Sequence, residues 1–234
     1  MPLISDCFMT FLRSNIGKKM VMAITGSMML LYLIFHLLGN LLIFKGPSWI
    51  NVYASILHGS GPILWFIRII MFIAFSIHLI YGIELTIENS RARPERYRLK
   101  KNLRSTFSSR NMIWTGIIIA IYVIYHLLHF TIPIIHPELS AVRNIDVSNR
   151  PDVFGMVVLN FQRYTVAVIY ILAMMAVALH LSHGIQSLFQ TLGLNNEETL
   201  PIIIRIGFIS SIILLLGFLS IPVASLTGIL RVRI

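Results

Sequence analysis

The sequence predicts an all-α membrane protein: five transmembrane helices forming one helical bundle, with the N-terminus cytoplasmic. Three observations lead there. Of 234 residues, 56% are hydrophobic and only 12% are charged, whereas about a quarter of a typical globular chain is charged. The apolar residues fall into five blocks, near 18–44, 62–88, 111–136, 163–190 and 200–230, each long enough for a helix to cross roughly 30 Å of hydrocarbon. The cations are shared unequally between the two sides those blocks define. A single integral membrane domain over 1–234 accounts for all three.

Residues 5–17 are a short mixed segment expected to lie along the membrane surface before Lys18 and Lys19 mark the entrance of the first span. The apolar run that follows is longer than a signal-peptide core and has no obvious cleavage site, so the N-terminal segment is expected to be retained. Between the second and third blocks, a polar loop over 89–110 contains Pro94 and a dense run of Arg and Lys. It reads as an inner loop drawn to anionic lipid and suited to docking a peripheral subunit. The outer loop over 137–162 mixes Glu138, Asp146 and Asp152 with Arg143 and Arg150, and Pro137 and Pro151 interrupt it. It reads as a lid.

With the N-terminus inside, twelve cations fall on the inner side: Arg13, Lys18, Lys19, the eight from Arg91 to Arg110, and Arg205. Seven fall outside: Lys45, Arg68, Arg143, Arg150, Arg163, Arg231 and Arg233. That excess sets the orientation. It also explains the formal charge of +10 without nucleic acid, which would need a basic face on a soluble domain. The one cysteine, Cys7, can form neither an internal disulfide nor a thiolate cluster. No nucleotide-binding, zinc-protease or serine-hydrolase pattern is present.

Histidine is costly inside a bilayer, so each intramembrane histidine is a functional candidate. There are eight in the chain. At about 1.5 Å per residue, His36 lies roughly 13 Å from the outer end of the first span and His126 roughly 15 Å from that of the third. His78 and His180 lie roughly 15 Å from the inner ends of the second and fourth. Four helices thus place two histidines at one depth and two at another, as two stacked bis-histidine haems b require; such irons have no open position and move electrons. Gly39, Gly82 and Gly184 share faces with His36, His78 and His180, where small residues would let a porphyrin approach. The plain alternative is interhelical hydrogen bonding. His129 and His183, three residues beyond His126 and His180, are rival ligands, or contacts for a propionate, a quinone oxygen or a carbonyl. Arg68 suits a propionate or quinone contact as well as it suits snorkelling to the surface. His58 and His136 fall near the outer surface, with His58 also a candidate for an outer quinone pocket.

The stretches IGKKMVMAITG, FHLLGN at His36, HLIYGIELT at His78, RSTFSSRNM, YHLLHF at His126 and ALHLSHGIQSLFQTLGLN at His180 occur in that order along the chain. Together they resemble the cytochrome b membrane anchor of succinate dehydrogenase and fumarate reductase, in its single-chain, five-helix, dihaem form. The resemblance implies that His36 and His126 ligate an outer haem, and His78 and His180 an inner one. It further implies a flavoprotein subunit and an iron–sulfur subunit docked on the cytoplasmic side, and a quinone substrate, menaquinone ahead of ubiquinone. The setting would be the inner membrane of a bacterium, and a higher oligomer of the complex is compatible with it. Dicarboxylate chemistry would belong to the soluble subunits, not to this chain. Some dihaem fumarate reductases carry a glutamate two residues before the helix-four ligand; here that position is Ala178, so a proton path through it is not expected. The competing readings are a dihaem anchor of a hydrogenase, formate dehydrogenase or nitrate reductase, and a haem-free anchor or transporter.

Overall fold

A computed structural model describes residues 2–92, 107–141 and 143–232. Five helices are long and apolar enough to span a bilayer: Asn15–Lys45, Gly61–Arg91, Met112–Thr131, Tyr164–Thr191 and Thr199–Leu226. Helices suit that medium because each satisfies its own backbone where water cannot. Among the described residues there is no strand, only an isolated bridge between Ile145 and Pro151.

In chain order, α1 (Pro2–Arg13) precedes α2 (Asn15–Leu41). The turn between them is capped by Ser14, whose hydroxyl accepts from Gly17 N at 3.0 Å. Gly17 is packed against the Phe11 carbonyl, which leaves no room for a side chain. A short 3₁₀ turn, Leu42–Lys45, ends the first span. Next come α3 (Pro47–Gly59) and α4 (Gly61–Arg91), both opened by a proline in the first turn. Then α5 (Phe107–Arg110) leads into α6 (Met112–His126), which widens into a π turn over Leu127–Thr131. Finally α7 (Val153–Phe161) precedes the long α8 (Tyr164–Thr191) and α9 (Thr199–Leu226).

All five expected spans are present, with adjusted ends. The third stops at Thr131 rather than near 136, because the π turn loosens its last residues and Pro133 follows. Both outer connections hold more structure than their composition announced, namely α3 and α7. The middle of the basic loop expected over 89–110 lies outside the described residues. At its near edge, Lys18 at the foot of α2 binds Glu84 at 2.9 Å and Glu88 at 2.6 Å, both from α4. This inner cation is therefore already paired within the bundle.

Around the bundle, α2 neighbours α4, α4 neighbours α6, α6 neighbours α8 and α8 closes back on α2. Consequently α2 faces α6 across one diagonal, and α4 faces α8 across the other. The fifth span, α9, packs chiefly along α8 and also touches α2. Large apolar side chains such as Phe72 on α4 and Ile213 on α9 point outward, as lipid contact requires. At the end opposite the N-terminus of α2, which the sequence assigns to the outer side, α3 and α7 cover the bundle with a buried cluster including Ile43, Ile50, Phe154, Val158, Phe161 and Tyr170.

That cover is pinned by Asn51 on α3, which is fully buried. Its amide donates to Asp152 Oδ1 at 3.1 Å and Asp146 Oδ2 at 3.3 Å, and its carbonyl accepts from Phe154 N at 2.9 Å. Asp146 also pairs with Arg150 at 2.7 Å. The hydrogen bond from the Arg150 side chain, foremost, pulls the Asp146 carboxyl from an ordinary 3.8 down to about 2. Since the folded value is lowered, this interaction stabilises the cover above about pH 4 and is lost as pH falls toward 2. Asn51→Leu removes three hydrogen bonds and orphans the Phe154 amide, so it is expected to destabilise the outer cover by about 2–3 kcal/mol. Limited proteolysis of the 137–152 loop checks this: cleavage should be faster in Asn51→Leu at neutral pH, and faster in the unmodified protein below pH 4.

Candidate functional site

The bundle diagonals carry the histidines. From α2 and α6, His36 and His126 bring their ring centres to 5.9 Å with planes 86° apart. From α4 and α8, His78 and His180 approach to 6.4 Å with planes 62° apart. Each pair joins opposite helices of the square.

The inner pair is supported from the neighbouring helices in the same way on both sides. On α2, Thr25 Oγ1 lies 3.2 Å from His78 Nδ1; on α6, Thr115 Oγ1 lies 3.1 Å from His180 Nδ1. The glycine after each threonine lets the imidazole lie against the helix. A methyl group at Gly26 would stand 3.3 Å from His78 Cε1, and one at Gly116 would stand 3.5 Å from His180 Cε1. Sequence reading missed all four residues. The signal was present as a repeat, MAITG over 22–26 and MIWTG over 112–116, visible once a Met-x-x-Thr-Gly pattern is sought at the starts of the first and third spans.

The outer pair has different surroundings. Tyr32 stacks on His36 at 5.6 Å, and Phe218 of α9 lies 6.1 Å from the same ring. The Tyr170 hydroxyl stands 3.4 Å from His126 Nδ1 and 3.0 Å from His129 Nδ1. His129 Nε2 meets Asn160 Oδ1 of α7 at 2.9 Å. Both ring nitrogens of His129 are therefore occupied, and the residue is only 2% exposed. A π turn begins at Leu127, just after His126, and the single Tyr170 hydroxyl lies within reach of both rings.

The remaining candidates separate by place. His183 is not the ring that meets His78; its Nδ1 is buried with no hydrogen-bond partner among the described residues. Arg68 lies over Trp65, 5.1 Å from the ring centre, and interacts electrostatically with Tyr32, which places it on the His36 side. His58 is exposed on the last turn of α3, and among the described residues no ring or hydrogen-bond contact joins it to the outer pair. His136 is half-buried, held by Arg163 and, at 3.4 Å, by Glu138. Ala178 is buried beside Ser211 in a shallow apolar cleft between α8 and α9.

The residues fit the group that the sequence pointed to. Two metal–imidazole bonds of about 2 Å, plus half a ring on either side, place ring centres about 6 Å apart; the two pairs lie at 5.9 and 6.4 Å. Among the described residues no cluster of three or more His, Cys, Asp or Glu forms a metal cage, and a porphyrin asks for only two axial ligands. A methyl group at Gly184 would touch nothing within 4 Å, and at Gly82 only Met22 Cε, 3.7 Å away. Both glycines thus leave room beside the inner pair. Gly39 has another use, because a methyl group there would collide with the Tyr53 ring of α3.

No curated protein and no solved structure matches the chain. One family profile does, that of the succinate dehydrogenase/fumarate reductase transmembrane subunit, over residues 88–218. The matched stretch includes His126 and His180, while His36 and His78 lie before it. With more than half of its length matched and five spanning helices in its fold, this multi-pass membrane protein belongs to the succinate dehydrogenase/fumarate reductase transmembrane subunit family.

Proposed function

We propose that this chain is the dihaem cytochrome b anchor of a succinate:quinone oxidoreductase, linking an iron–sulfur subunit to membrane quinone. The observation that carries the reading is the pair of diagonals: two imidazole pairs on opposite helices, with ring centres 5.9 and 6.4 Å apart. In it, His36 and His126 hold the outer haem b, and His78 and His180 the inner one. An iron held by two imidazoles supplies one-electron transfer at a fixed coordination number.

The rest of the chain holds and shields those ligands. The cover formed by α3 and α7 keeps water from the outer pair through the buried cluster around Phe154, Phe161 and Tyr170. The Lys18 contacts with Glu84 and Glu88 tie α2 to α4 below the inner pair. The excess of inner cations favours a cytoplasmic N-terminus, which puts α1, α5 and the basic loop on the side where the flavoprotein and iron–sulfur subunits dock. A quinone, menaquinone ahead of ubiquinone, is the membrane-borne substrate. His183, with its orphaned Nδ1, is the contact we assign to a propionate or quinone oxygen near the inner pair; Arg68 serves the outer side, with exposed His58 farther out. The chain would reside in a bacterial inner membrane.

Haem stoichiometry and a reduced-minus-oxidised spectrum of the purified complex test the reading. Two haems b per chain are expected, with at least one reduced by succinate. His78→Ala and His180→Ala should each lower the content to one, whereas His129→Ala, which loses hydrogen bonds to Tyr170 and Asn160, should keep both. Absence of a Soret band would return the chain to a haem-free anchor. Loss of a haem in His129→Ala but not in His126→Ala would overturn the ligand assignment on α6.

A further inference from the structure

The Thr-Gly supports at the inner pair go further than ligand identity. Each threonine hydroxyl has a single proton. Thr25 Oγ1 directs it back along its own helix to Val21 O at 2.8 Å or Met22 O at 3.2 Å. Thr115 Oγ1 does the same to Asn111 O at 3.1 Å or Met112 O at 3.0 Å. Such back-bonding is common in helices and alone would mean little. Here it leaves each hydroxyl with only lone pairs to offer the neighbouring helix, and what lies there is an imidazole Nδ1 in both cases. The carbonyls of Met22 and Met112 face the same two rings, and a carbonyl can only accept.

We infer that Thr25 and Thr115 are paired positioning residues that fix His78 and His180 as their Nδ1–H tautomers, presenting each Nε2 lone pair to the inner iron. The inference rests on the ligation reading above and deepens it. Burial supports it, since both threonines are only 6% exposed, so no water competes for the hydroxyls. Gly26 supports it too, because a side chain there would press on the His78 ring at 3.3 Å, whereas at Gly116 it would only touch the His180 ring at 3.5 Å. The outer pair is built differently: Tyr170 reaches His126 Nδ1 only at 3.4 Å, and aromatic rings flank His36. An acceptor on Nδ1–H makes an imidazole a stronger donor to its metal and holds its orientation. The threonine pair therefore favours the oxidised state of the inner haem relative to an unsupported bis-histidine site.

The test uses the full complex with Thr25→Val and Thr115→Val, which keep side-chain shape but remove the acceptor, and Thr25→Ser, which keeps it. Each valine variant should raise the midpoint potential of the inner haem, shift its low-spin electron paramagnetic resonance signal, and release it to a haem-scavenging globin about tenfold faster. The outer haem, an internal reporter of folding, should be unchanged, and Thr25→Ser should restore the inner values. Should Thr25→Val not assemble, Thr115→Val carries the same test from the opposite ring. Unaltered potential, spectrum and release in the valine variants, with His78→Ala still losing the inner haem, would overturn the positioning role and leave ligation standing. Retention of both haems in His78→Ala would remove the ligation reading and this inference with it.

Discussion

An imidazole inside a bilayer has two nitrogens to satisfy and no water to do it with, and the architecture of this bundle follows from how each is satisfied. Leaving one orphaned costs on the order of 1–3 kcal/mol, and the chain gives His78, His129 and His180 specific partners while the Nδ1 of His183 has none among the described residues. His129 uses both nitrogens on protein groups, Tyr170 and Asn160. His78 and His180 use Nδ1 on threonine hydroxyls, and their rings stand 6.4 Å apart across the bundle. The same residue type thus divides into two roles according to how many nitrogens the protein itself has engaged.

The square of helices sets the rest. Because ligand candidates stand on diagonals and their supports on adjacent helices, each inner imidazole belongs to two helices at once: its own and the one bearing its threonine. That coupling holds α2 to α4 and α6 to α8 through polar contacts, in a medium where apolar packing gives helices little reason to prefer one another. The fifth span supplies no histidine to either pair, yet Gly207 brings it against the Ser182 carbonyl and Ile185 of α8, so it buttresses the helix that carries His180.

Much of this was legible in the sequence. Five apolar blocks gave five spans, and simple rise per residue grouped His36 with His126 and His78 with His180, whose rings stand 5.9 and 6.4 Å apart in the bundle. Rotation about the helix axis was harder to read. Spacing alone made His129 a rival of His126, since three residues normally share a face; that Tyr170 and Asn160 engage both nitrogens of His129 has no clear sequence mark. Gly39 was read as room for a cofactor, although it accommodates Tyr53, because a glycine does not announce which neighbour needs the space. The helices α3 and α7 escaped notice since short segments lying over a bundle carry no span-length apolar run. Thr25 and Thr115 were missed because a hydroxyl in a membrane helix reads as ordinary until the facing ring is known.

The crossing of the pairs also bears on how the protein is made. Each pair takes one member from the first two spans and one from the third or fourth. A chain emerging from the ribosome in order has both outer rings once residue 126 is in place, but lacks the second inner ring until residue 180 has followed. In the proposed dihaem form the outer pair is thus the earlier one available for loading, and the inner pair waits for the fourth span to enter the membrane and close the square.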